Sequence, residues 1–114
     1  MNPQLIMDEI RKVKDDLSRL NDNLKNFGIQ KEKAERIYRI ELRKMLLKLR
    51  LDKVPSNIIQ DVAKGDERIS QLRLNRGLAD NSYTTCQEAL RNKRLELEIL
   101  RSLLTWERAE LKNS

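Results

Sequence analysis

From Ile6 to Phe27 one set of apolar residues recurs at alternating steps of four and three: Ile6, Ile10, Val13, Leu17, Leu20, Leu24 and Phe27. This heptad spacing places every one of those side chains on a single seam of an α-helix, and a helix cannot bury such a seam against itself. The same test started at Ile69 visits Ile69, Leu72, Arg76, Ala79, Tyr83, Cys86, Leu90, Lys93, Leu97, Leu100, Leu104, Glu107 and Leu111, and only Arg76, Lys93 and Glu107 break the apolar pattern. Two long seams of this kind call for helix-on-helix packing. Nineteen Leu and nine Ile against three Val, with four aromatic residues, agree with that and argue against a sheet, which draws on β-branched and aromatic side chains. The expected class is all-α.

The 114 residues make one domain at most, read as four helical segments: 5–27, 30–51, 56–64 and 66–112. Gly28 either ends or kinks the first segment, because glycine is costly inside a helix and favoured just past its end. Residues 30–51 carry a wider apolar face. Ala34, Ile37, Tyr38, Leu42, Met45, Leu46 and Leu49 form its main stripe, while Ile40, Leu47 and Leu51 lie partly off it. Pro55 forces its predecessor out of helical geometry. Ser56 or Asn57 can then cap a short helix bearing Ile58, Ile59 and Val62, which plugs the end of a core. Gly65 suits the left-handed position that ends this helix, and Asp66 suits the N-cap of the next. Gly77, Asn81, Ser82, Thr84 and Thr85 weaken the last segment, which reads as one helix or as two coaxial pieces with a kink or local break near Gly77 to Asn81.

The two arms, Ile6 to Leu49 and Ile69 to Leu111, have nearly equal length, roughly 65 Å each as continuous helix. A turn between equal arms suggests a long antiparallel helical hairpin or coiled coil with a short helix in the connecting turn. Matching the arms end to end sets Glu107 opposite Arg11 and Arg76 near Glu41 or Leu42. The competing arrangement folds residues 5–26 back at Gly28 or sends them to another chain. A two-helix hairpin leaves Ile40, Leu47, Leu51, Leu74, Leu78, Leu95, Ile99, Leu103 and Trp106 off the seam. Contiguous exposed apolar patches are limited on soluble monomers, so a homo-oligomeric bundle or an obligate partner is expected in place of a monomer. Ile40, Leu47, Leu51, Leu95, Ile99, Leu103 and Trp106 are the candidate partner or oligomer interface. Trp106 is either an end-plug of the bundle or an exposed partner anchor.

The net charge of +6 is concentrated. Residues 31–53 hold nine basic and four acidic side chains, which accounts for five of the six excess charges. Arg36, Arg39, Arg43 and Arg50 share one helical stripe. Guanidinium groups are planar and always charged, which suits them to phosphate oxygens, and a basic helix can track a nucleic-acid backbone. Glu32–Arg36 and Glu35–Arg39 are also i,i+4 pairs in the favourable order, as on an ordinary solvated face. The four arginines are the candidate nucleic-acid or partner-binding residues. A helix-turn-helix reading of 45–73 would have Arg68, Gln71 and Arg73 reach bases, with Asp66 and Glu67 facing phosphate.

Enzymatic readings are weak. The chain has no His, the commonest acid–base group and metal ligand, and a single Cys, Cys86, which lies on the apolar seam as a small core residue. No glycine-rich phosphate loop occurs, no spacing assembles Ser, Lys and carboxylates, and neither catalytic residue, metal nor cofactor is expected. No apolar run is long enough to span a membrane. The N-terminal MNPQLIMDEIRK lacks a secretory pattern and the lone thiol fits a reducing compartment, so the cytoplasm is the expected location.

From Lys33 to about residue 110, KAERIYRIELRKMLLKLR, VPSNIIQDVAKGDERISQLRLNRGLAD, the stretch around Tyr83 and the terminal LLTWERAE resemble a family of small helical proteins encoded by phages and prophages of Gram-positive bacteria. Its genes often lie near those for single-strand annealing and single-stranded-DNA-binding proteins. The resemblance implies a phage accessory or adaptor protein in DNA replication or recombination, and it transfers no catalytic residue. Two alternatives accompany it: a module that binds a host or phage protein without nucleic acid, and a small helix-turn-helix-like transcription regulator.

Overall fold

The computed structural model describes residues 2–113, and among them the chain is all-α with no strand. Three helices follow in order: α1 (Pro3–Leu51), α2 (Ile59–Gly65) and α3 (Glu67–Asn113). They divide into two compact units, residues 1–25 with 84–114 and residues 26–83. In each, a stretch of α1 runs antiparallel to a stretch of α3, the arrangement of a helical hairpin with a short helix in its turn.

The expected segments 5–27 and 30–51 are one helix. α1 passes through Gly28 without interruption, and Gly28 has negative φ. The seam continues on both sides, so tertiary packing outweighs the roughly 1 kcal/mol that one interior glycine costs. α3 is likewise unbroken across Gly77 to Asn81. There the Ser82 hydroxyl donates to the Leu78 carbonyl at 3.1 Å, satisfying itself within the helix.

Helix ends explain the connection. Asn2 begins α1, its side-chain oxygen accepting the Leu5 N–H at 2.9 Å, with Pro3 at the first helical position. α1 ends in a Schellman motif: the Val54 N–H donates to the Leu49 carbonyl and the Lys53 N–H to the Arg50 carbonyl, both at 3.0 Å. The left-handed residue is Lys53, at φ 61°, and no glycine has positive φ. Gly65 is therefore the last residue of α2 and not a left-handed terminator. Neither Ser56 nor Asn57 caps α2. Its N-cap is Ile58, with no side-chain cap bond, so the helix starts at Ile59 and not at 56. Asp66 does begin α3, its Oδ2 accepting the N–H groups of Arg68 and Ile69 at 3.1 and 3.2 Å.

The first unit is held by Ile6, Val13, Cys86, Leu90 and Leu97, all buried. Its pairing is marked by the Cys86 thiol, which donates to the Leu20 carbonyl at 3.4 Å, and by Lys93 Nζ at 3.2 Å from Asp16. The second unit buries Tyr38, Ile59, Ala63 and Ile69. α2 plugs this core with Ile59 and Ala63, one turn apart. Ile58 and Val62, expected in the plug, are exposed because a seven-residue helix turns only one narrow face inward. Phe27 and Ile37, both assigned to inner stripes, are also exposed.

The pairing register differs from the end-to-end match. Arg76 meets Glu35 at 3.5 Å, not Glu41, and Glu41 is reached by Arg68 at 3.6 Å. The slip is about one heptad. A seam that repeats every seven residues stays apolar after such a slip, so periodicity does not choose between the registers. The Schellman turn at Lys53 and the inserted α2 do. In the first unit Arg11 accordingly pairs with Asp8 at 3.5 Å on its own helix, in place of Glu107.

Candidate interaction faces

Arg36, Arg39, Arg43 and Arg50 all project from α1 into solvent. Arg39 is drawn aside. Its Nε lies 2.6 Å from Glu35 Oε1, and Arg76 approaches the other carboxylate oxygen. The bond from Arg39, followed by the nearby charges of Arg39 and Arg76, holds the Glu35 carboxyl below its ordinary range. The same bond raises the Arg39 guanidinium. Of the four, Arg39 alone has an ion pair among the described residues. Arg36, Arg43 and Arg50, each seven residues from the next, form a row with no ion pair among the described residues.

Beside that row lies a second apolar seam. Ile37, Ile40, Lys44, Leu47 and Leu51 recur at steps of three and four on the side of α1 roughly opposite Tyr38, Leu42 and Leu49. Ile37, Ile40, Leu47 and Leu51 are 49, 40, 52 and 83% exposed. Lys44 also points outward and sits 3.6 Å from Glu41. On α3 of the first unit, Leu95, Ile99 and Trp106 lie within about 40° of one another and roughly opposite Cys86, Leu90 and Leu97. They are 52, 67 and 59% exposed, which makes Trp106 a surface residue and not an end-plug. Leu103 departs from the expected interface: it is half-buried, because its position on the helix rotates it toward the seam that holds Leu100 and Leu104. Leu74 and Leu78 are exposed beside Arg73, Gly77 and Asn81 around a shallow depression in the second unit.

Two contacts escaped the sequence. Arg76 stacks over the Tyr38 ring at 4.2 Å from its centroid while paired with Glu35, and Lys31 sits 4.9 Å from the Tyr83 centroid and 3.2 Å from Asp80. Each such cation–π contact is worth about 0.5–1 kcal/mol at an exposed site. The signal was present for Arg76, since a cation inside an apolar repeat requires an anion and an apolar cover.

A depression in the first unit of about 490 Å³ is lined by Asp16, Arg19, Lys93 and Glu96 with neutral neighbours. Asp16 is paired with both Lys93 and Arg19, and Lys93 with Glu96 at 3.1 Å. Its charges satisfy one another. Hydrogen bonds from Lys93 and then Arg19 hold the Asp16 carboxyl below its ordinary range, while bonds to Glu96 and then Asp16 raise Lys93. Among the described residues no group of three or more His, Cys, Asp or Glu is placed to hold a metal ion, and no helix is long and apolar enough to cross a membrane. In the turn region, Arg68 lies 3.6 Å from Glu41, Gln71 donates to Asn75 at 3.0 Å, and Arg68, Gln71 and Arg73 are all exposed. No family model, curated protein or solved structure matches the chain.

Proposed function

We propose that the chain is a non-catalytic helical adaptor, acting through the outward faces of its helices as an accessory in phage DNA replication or recombination. One observation carries the reading. In each unit a helix is apolar on two opposed faces, one buried within the unit and one exposed: Leu95, Ile99 and Trp106 on α3, and Ile37, Ile40, Leu47 and Leu51 on α1. A helix with two apolar faces calls for neighbours on both, and among the described residues the chain covers only one of them. Self-association through the α3 face and capture of an anionic counterpart beside Arg36, Arg43 and Arg50 are the two activities this implies. The DNA-metabolic setting rests on the resemblance of residues 33–110 to phage proteins.

The test is the solution mass of the full chain over a range of concentrations, alongside retention on single- and double-stranded DNA at low and high salt. The wild type should associate beyond one chain. A Leu95→Ser, Ile99→Ser, Trp106→Ser variant should be monomeric with unchanged helicity, because these side chains lie outside the buried seam. A wild type that stays monomeric throughout and is not retained on either DNA would sink the adaptor reading.

A further inference from the structure

We infer that the outward face of α1 between Arg36 and Leu51 is one half of a heteromeric coiled coil, and that its partner is an acidic amphipathic helix of another protein. The inference rests on the adaptor reading and names the class of partner.

The positions form a heptad in their own right. Ile37, Lys44 and Leu51 occupy one core position of the repeat, and Ile40 and Leu47 the other. Arg36, Arg43 and Arg50 then fall together on a flanking position, the one whose charge chooses a coiled coil's partner. The opposite flank holds Glu41 and Lys48, and Glu41 is already engaged by Lys44 and Arg68. The free charge along the face is therefore positive. α1 is unbroken from Pro3 to Leu51, so the face is presented on a continuous helix.

Charge decides the occupant. A second copy docked in parallel would set Lys44 against Lys44 and Arg43 against Lys48, and would bring only Arg36 to an acid, a Glu41 already held by Lys44 and Arg68. Docked antiparallel, it would set the arginine row against itself. Like charges across such a seam oppose pairing. A nucleic-acid backbone satisfies the arginines but gains nothing from Ile37, Ile40, Leu47 and Leu51. A helix with Leu or Ile at its core positions and Asp or Glu at its flanks satisfies both features, and one acid opposite Lys44 would fix its register.

The experiment uses the full chain and two fluorescent four-heptad peptides with Leu and Ile at the core positions, one with Glu at every flanking position and the other with Lys. Binding is read by anisotropy, with a single-stranded oligonucleotide and a duplex as further probes. The Glu peptide should bind at least about tenfold more tightly than the Lys peptide, since reversing three exposed ion pairs shifts affinity by that order. Arg36→Glu, Arg43→Glu, Arg50→Glu should invert this preference, and Ile40→Ser, Leu47→Ser should abolish binding of both peptides with helicity retained. Equal binding of the two peptides, binding of neither, or displacement of the Glu peptide by either DNA with no effect of Ile40→Ser, Leu47→Ser would each overturn the assignment. If the wild type still self-associates through the α3 face in those cases, the partner class falls and the adaptor reading stands.

Discussion

Replacing Gly28 or Gly77 by alanine tests whether the two long helices are continuous where glycine sits in them. Both residues have negative φ and helical neighbours on each side. Alanine is favoured over glycine in a helix interior by about 0.8–1 kcal/mol, largely because it narrows the unfolded ensemble. At Gly77 an added Cβ meets nothing within 4 Å, so the whole of that difference should appear as stability. At Gly28 it meets Tyr83 Cε2 at 3.4 Å and Cδ2 at 3.8 Å, ordinary contact with the edge of a ring, so the gain should be similar or slightly smaller. Both positions lie in the same compact unit and share no contact at their Cβ sites, so the double variant should gain roughly 1.5–2 kcal/mol. At about 4–8 °C per kcal/mol for a chain near this size, the melting temperature should rise by about 6–16 °C. The assay is urea and thermal unfolding followed by circular dichroism at 222 nm, with the urea slope unchanged. A left-handed glycine at a helix end would give the opposite sign, because alanine there is strained. Loss of 1 kcal/mol or more at either site would refute the unbroken helix at that site.

Three further outcomes follow from the same structure. Lys53→Gly should stabilise by up to about 1 kcal/mol, since Lys53 holds the left-handed position of the Schellman motif where L residues are strained, and a lower urea midpoint would contradict the turn geometry. Cys86 should label slowly with a thiol reagent in the native state and quickly after denaturation, because it is 5% exposed and its thiol is bonded to the Leu20 carbonyl; fast native labelling would show that the first unit is packed differently. The Asp16 carboxyl is held below its unfolded value by Lys93 and Arg19, so its contribution to stability is present above the ordinary aspartate range near pH 4 and is lost as pH falls through the lower folded value. Lys93→Met should raise the Asp16 titration midpoint measured by carboxyl-carbon NMR, and an unmoved midpoint would deny the ion pair.

The helical class, both seams and the placement of Tyr38 and Cys86 in cores were legible because a 4-3 repeat is a property of local geometry: any helix carrying it turns those side chains to one side. The exposed apolar residues were legible for the same reason in reverse, since Ile40, Leu47, Leu51, Leu95, Ile99 and Trp106 lie off the seams. What tertiary structure decided was everything the repeat leaves degenerate. The seam could not report its own register, so the partners of Arg76 and Glu41 came from the turn at Lys53 and the insertion of α2. Continuity at Gly28 and Gly77 was decided by packing on either side of each glycine, which outweighs its propensity. The Glu35–Arg39 pair was legible as an i,i+4 pair, whereas the approach of Arg76 to the same carboxylate came only from the pairing of α1 with α3. A helical repeat specifies which face is buried at the cost of one residue type per position; which residues meet across that face is a long-range matter, settled where the chain reverses.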